Sequence, residues 1–182
     1  MVETRRKCRL ASALLVSMAV SFFSAGSPPA HAQASAGCAN LLASSFCPGN
    51  SGWKIAEIPY PSTTYFANKS ARLTGELKVG LNNGISLKDL LASHQSAMDK
   101  DSRFSAPPRL FDETETEIVG QRGVRRIWQL HTGKKKPFLV VTCALRDSFS
   151  LCVTTFHKNS RFDKAELDLH KALVTSLTYR PS

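Results

Sequence analysis

The chain carries none of the short motifs that place a nucleotide or a catalytic centre. It has no glycine-rich phosphate loop, no dinucleotide G-x-G-x-x-G, no G-x-S-x-G elbow and no H-E-x-x-H. It also lacks a C-x-x-C pair, which removes the usual framework of a thioredoxin-type redox site and of a closely paired zinc site. Acidic residues are scarce, 14 against 24 Lys and Arg, so the formal charge is +10. Aromatic residues make up only 8% and form no stacking platform beside the basic residues, which argues against nucleic acid as a ligand. Past the first thirty-odd residues no apolar run approaches the roughly 18 to 20 residues that span a bilayer. Internal repeats and low-complexity segments are absent too, so neither a solenoid nor a disordered linker is expected.

What is present begins with a three-part export signal. Arg5, Arg6, Lys7 and Arg9 precede an uncharged stretch from Leu10 to Ala25, and Gly26-Ser27-Pro28-Pro29 breaks it before Ala30-His31-Ala32. That layout predicts a signal peptide over 1–32, cleaved near Ala32, and a periplasmic or secreted product. A retained anchor is the alternative, and Cys38 keeps a lipoprotein reading open. Removing the segment takes away four basic residues and Glu3, so +10 becomes +7. About 150 residues remain, enough for one domain with a sizeable core. The expected division is a cysteine-bearing segment over 33–52 and a single domain over 53–182.

Cys8 leaves with the signal, and Cys38, Cys47, Cys143 and Cys152 remain, an even count in an exported chain. If Asp147-Ser148 is a two-residue hairpin loop, Arg146 faces Phe149 and Cys143 faces Cys152. That pair falls at a non-hydrogen-bonded position, where the Cα atoms come closest, so a cross-strand disulfide fits. Cys38 and Cys47 then close a short loop around LLASSF. Other pairings, free thiols, or metal or redox work at these cysteines are the alternatives.

Periodicity predicts the remaining elements. Trp53, Ile55 and Ile58 suggest an early strand ended by Pro59 and Pro61, and RLTGELKVGL over 72–81 alternates as a half-buried strand. Ser86 with Asp89 opens a helix over 86–99, with His94 on or near its buried face. The stretch 99–108 reads as a polar loop and 112–117 as a charged edge strand. Three antiparallel strands follow, over 124–131, 138–146 and 149–156. A second helix over 163–177 carries a stripe of Phe162, Ala165, Leu169, Ala172, Leu173, Ser176 and Leu177, with His170 off the stripe and exposed. His131 and His157, with Asp147 or Asp163, form the one imaginable catalytic constellation, read here as ordinary surface histidines.

The helix start Gly84-Ile85-Ser86-Leu87-Lys88-Asp89-Leu90-Leu91, the turn Val119-Gly120-Gln121-Arg122-Gly123-Val124-Arg125-Arg126 and the closing Ala172-Leu173-Val174-Thr175-Ser176-Leu177 carry a resemblance. In this order of elements the chain, over about residues 53 to 180, resembles the PsbP/DcrB-like superfamily. The resemblance implies an α+β fold, an antiparallel sheet with two main helices packed on it as an α/β/α sandwich. It also implies a non-catalytic accessory or protein-binding module with no cofactor and no metal. Its partner is expected to be another exported or envelope protein, with membrane contact only through the signal before cleavage. An immunity or inhibitor protein against an exported toxin or wall hydrolase is one alternative. An anion binder or enzyme using Arg122, Arg125, Arg126, Lys134, Lys135 and Lys136 is the other, and these six are the candidate interaction surface.

Overall fold

The computed structural model describes residues 37–181 apart from 43 and 147, all within one compact unit, Ala32–Ser182. The expected signal over 1–32 and Asp147 of the cysteine hairpin lie outside the described residues. In chain order the elements are β1 (Ala39–Leu41), β2 (Ser44–Cys47), β3 (Lys54–Tyr60), β4 (Thr63–Asn68) and β5 (Leu73–Leu81). Helix α1 (Leu87–Asp99) follows, then β6 (Ala106–Ile118), β7 (Gln121–His131), β8 (Phe138–Arg146), β9 (Phe149–His157), α2 (Lys164–Ser176) and β10 (Thr178–Pro181).

Seven strands form one antiparallel sheet in the order β3-β4-β5-β9-β8-β7-β6, and β1-β2-β10 form a second, smaller one. The fold class is therefore α+β. In the large sheet Arg146 faces Phe149 and Cys143 faces Cys152, with the two cysteine Cα atoms 4.2 Å apart and the sulfurs bonded at 2.07 Å. That short Cα separation is the mark of a non-hydrogen-bonded pair. Cys38 and Cys47 are bonded at 2.01 Å across the open end of the β1–β2 hairpin. The loop expected around LLASSF is thus a hairpin, held in place by β10 along β2.

Several expectations need correction. The proline-rich stretch after Ile58 does not end β3, because β3 is an edge strand whose outer side needs no N–H from Pro59. Strand β4, which the periodicity does not predict, follows after two residues. Likewise β6 begins at Ala106, inside the stretch read as loop, because Pro107 and Pro108 are tolerated on the other edge. On α2 the buried residues are Leu167, His170, Leu173 and Val174, whereas Ala165 is exposed. The stripe is therefore rotated from the expected one, and His170 is fully buried, not exposed.

Local chemistry accounts for the helix ends. Ser86 caps α1 by accepting the Asp89 N–H at 3.1 Å while its hydroxyl donates to the Asp89 carboxylate at 2.7 Å. Asp163 caps α2 by accepting the Ala165 N–H at 2.8 Å. Each helix then packs on β8 residues of one parity. Leu139, Val141 and Cys143 join Leu91 and Met98 of α1 in one cluster. Phe138 and Val140 join Leu167 of α2 in a second, and Ala144 joins Leu173 and Val174 in the third and largest. Successive strand residues point to opposite sides, so the two helices draw on opposite parities of the same strand. Gly123 allows β7 and β8 to approach: a Cβ there would lie 2.5 Å from the Cys143 carbonyl oxygen.

Candidate functional site: a groove on the sheet and a buried histidine relay

Helix α1 packs mainly over β6 and β8; on the same side of the sheet Cys152 of β9 is buried with the helix, while Tyr65 of β4 and Thr74 and Lys78 of β5 stay exposed. The polar half of the β5 alternation, Thr74, Glu76 and Lys78, lies there, in register with Phe156, Thr154 and Cys152 of β9. Lys78 is exposed, while Glu76, Thr154 and Phe156 are only half-buried. This side forms a groove of about 480 Å³ between β5, β9 and α1, and two smaller hollows of about 270 and 370 Å³ share lining residues with it. Thr154 lines all three. The floor is apolar, from Met98, Phe104, Leu130, Leu139 and Phe156.

The charges along the groove cancel in pairs. Lys78 Nζ lies 3.3 Å from Glu76 Oε1, and Arg103 donates to both carboxylate oxygens of Asp101, Nε to Oδ1 and Nη2 to Oδ2. That guanidinium holds the Asp101 carboxyl down at about 2. Between the pairs sits His94. Burial, and then the Lys78 charge, hold its imidazole below the ordinary histidine range. At neutral pH the ring is therefore uncharged, with one nitrogen donating and the other accepting.

On the opposite parity of β8 and β9 lies a chain of buried polar groups. His170 Nε2 is 2.8 Å from Thr142 Oγ1 and its Nδ1 is 2.8 Å from Thr155 Oγ1. Thr155 Oγ1 is also 2.8 Å from His157 Nε2, and His157 Nδ1 is 3.0 Å from Glu166 Oε2. Asn159 Nδ2 donates to Glu166 Oε1 at 2.9 Å. With both rings uncharged, one assignment pairs every group. The Thr142 hydroxyl donates to His170 Nε2, His170 Nδ1–H to Thr155, the Thr155 hydroxyl to His157 Nε2, and His157 Nδ1–H to the Glu166 carboxylate. The reverse order would set a bare ring nitrogen against a carboxylate oxygen, two acceptors together. These threonines explain why α2 buries a histidine: β8 and β9 supply both partners that the ring needs. Desolvation lowers His170 to about 3, with His157 and Arg125 acting in the same direction. His157 is lowered by burial, against the opposing pull of Glu166. The two rings are sealed, at 2% and 0% exposed for His157 and His170, while Glu166 at the outer end is half-buried and Asn159 exposed.

The sequence-based constellation does not assemble. His157 lies on β9 and His131 on β7, with β8 between them. The acid that His157 bonds is Glu166, not Asp163, which acts on it only through its charge. Glu166 is the member that the sequence reading misses, although its spacing of four from His170 puts both on one side of a helix.

Nor do the six basic residues form one patch. Arg122 and Arg126 share the parity of Trp128, while Arg125 shares that of Ile127 on the other side of β7. Each has an acidic neighbour on β6: Glu115 for Arg122, Glu113 for Arg126 and, at 4.0 Å, Asp112 for Arg125. Lys134, Lys135 and Lys136 are exposed in the turn at the far end of β7, roughly 30 Å from Arg122 at the rise of a strand. Among the described residues no group of three or more His, Cys, Asp and Glu could hold a metal ion, and no helix is long and apolar enough to cross a membrane.

No protein-family model matches the chain, and no curated protein does. Among solved structures it is similar to the cyanobacterial PsbP of Synechocystis, with a TM-score of 0.56 and 11% identity over 76% of this chain and 87% of that one. It also matches a point mutant of the protein Mog1 at a TM-score of 0.49, 10% identity, over 74% and 85% of the two chains. The Ran-binding protein Mog1p of Saccharomyces cerevisiae matches at 0.47, 10% identity, over 74% and 82%. The chain has a PsbP-like fold.

Proposed function

We propose that the protein is an exported, non-catalytic accessory module that binds another envelope protein through the partly uncovered side of its sheet. In this reading residues 1–32 are removed near Ala32, the product is periplasmic or secreted, and α1 and α2 form the outer layers of an α/β/α sandwich. The observation that carries it is the half-covered sheet. An apolar floor with balanced charges and half-buried Thr154 and Phe156 remains open beside α1, and exposed apolar concavities of this kind mark interaction sites. Two disulfides support an oxidising compartment. The two histidine rings of the relay are buried and each is paired within the fold, which supports a structural role for them.

The test is site-specific photo-crosslinking of the full chain in cells that export it, with a benzophenone residue at position 154 and, as a control, at position 171 on α2. A discrete adduct with an envelope protein from position 154 alone is expected. No adduct, or the same adducts from both positions, would refute the reading. Intact mass of the exported protein should begin at Gln33 and fall four hydrogens short of the reduced chain. A second reading, an anion-binding surface, is favoured by the exposed Lys134–Lys136 turn. It predicts binding to polyphosphate or anionic vesicles that weakens steeply with salt.

A further inference from the structure

From the chemistry of this groove we infer that its occupant is a short, uncharged, extended peptide segment of the partner protein. One peptide group of that segment meets His94 and Thr154, and its apolar side chains rest on Leu139, Phe156 and Phe104. The inference rests on the reading of this side of the sheet as the binding face, and adds what binds there.

Three features point the same way. The first is electrical balance: Lys78 is satisfied by Glu76 and Arg103 by Asp101. A charged ligand would have to break one of these pairs or meet a like charge, whereas a neutral one leaves both intact. The second is the pair of polar side chains set into an apolar surface. Neither the His94 ring nor the Thr154 hydroxyl has a hydrogen-bond partner among the described residues. Each offers a donor and an acceptor, so between them they can supply the one acceptor and one donor that a peptide group needs, and the donor and acceptor left over remain for water. A plain hydrocarbon would cover these groups without pairing them, leaving buried donors and acceptors unsatisfied. The third is length. From the Lys78 row to the Thr74 row is four residues along β5, about 13 Å at a strand's rise, the span of about four extended residues. Tyr65, in register with Glu76 and 38% exposed, widens the apolar surface sideways onto β4 at the middle of that span.

The experiment uses the full oxidised chain and a synthetic peptide, acetyl-SLAFA-amide, titrated while the backbone and histidine-ring NMR signals are followed. Companion titrations use SLEFE, SLKFK and sodium decanoate. SLAFA should shift the signals of His94, Thr154, Phe156 and Leu139 with a Kd on the order of 1 mM. That Kd should change by less than about twofold between low and high salt, since no net charge is involved. SLEFE and SLKFK should both bind more weakly. Thr154→Arg should weaken SLAFA by about tenfold or more, and His94→Leu by about tenfold, the worth of one hydrogen bond. His94→Gln keeps a donor and an acceptor and should stay within about threefold of the parent.

Decanoate moving the groove signals while SLAFA does not would overturn the inference in favour of a small amphiphile. Binding that is unchanged in both Thr154→Arg and His94→Leu would overturn it as well. If the position-154 crosslink persists while SLAFA leaves the groove unmoved, the binding face stands and the neutral-peptide chemistry is wrong. Failure of both experiments removes the binding face itself.

Discussion

Lowering the pH from 7 to 5 should destabilise the folded protein by about 2 kcal/mol through His170 alone. The ring is completely buried, and desolvation brings its pKa down to about 3, whereas an unfolded chain titrates its histidines near 6.5. Between those values the unfolded state binds a proton that the folded state refuses. The stabilisation is therefore full above about pH 6.5 and is lost progressively as the pH falls toward 3. At pH 5 the loss is about 1.5 units at 1.36 kcal/mol each, or roughly 2 kcal/mol. His157 and His94 are also depressed by burial and act with the same sign. The window stops at pH 5 because unfolded Asp and Glu titrate near 3.9 and 4.3, so the ion pairs contribute little to the change. A loss of this size is a large share of the roughly 5 to 15 kcal/mol of a typical domain. It corresponds to a drop of about 4 to 8 °C in melting temperature for a chain of this length. The assay is urea unfolding of the oxidised protein at pH 7, 6 and 5, beside a His170→Gln variant that is less stable at pH 7 and shows a flatter dependence. An unfolding midpoint that stays constant or rises as the pH falls would refute the assignment of neutral, sealed histidine rings.

Other predictions follow from single contacts. Gly123→Ala would push a Cβ to 2.5 Å from the Cys143 carbonyl oxygen and should cost about 1 to 3 kcal/mol, the usual range for overpacking, read as a lower melting temperature. Replacing Cys143 and Cys152 together by alanine should cost about 2 to 4 kcal/mol, since the bond closes a loop in the unfolded chain; denaturant titration measures it. Changing Lys134, Lys135 and Lys136 to glutamate should move stability by under about 0.5 kcal/mol, because all three side chains are exposed at a turn. A calorimetric melt that shows the triple variant unfolded would refute that placement.

Spacing along the chain was enough for several features whose partners are close in sequence, though not for β4 or for Glu166 as the partner of His157. The Cys143–Cys152 register follows from counting back from a two-residue turn, and the structure has that register. The capped start of α1 was legible because Ser86 and Asp89 bond each other three residues apart. The alternation over β5 likewise showed which half of the strand is apolar. It could not show whether the polar half faces open water or a groove, because that depends on where α1 lies, and α1 reaches across to β6 and β8.

His170 is the clearest case of a property settled only in three dimensions. By its type and its place on the helix it reads as a surface residue. Its burial depends on two hydroxyls, on Thr142 and Thr155, that are 28 and 15 residues away in the chain and adjacent only in the folded sheet. The same holds for β2 and β10, paired although more than 130 positions separate Cys47 from Thr178. Local pattern specifies which way a side chain can point. Whether that direction leads to a partner, to the core or to a groove depends on contacts between segments that the sequence places far apart.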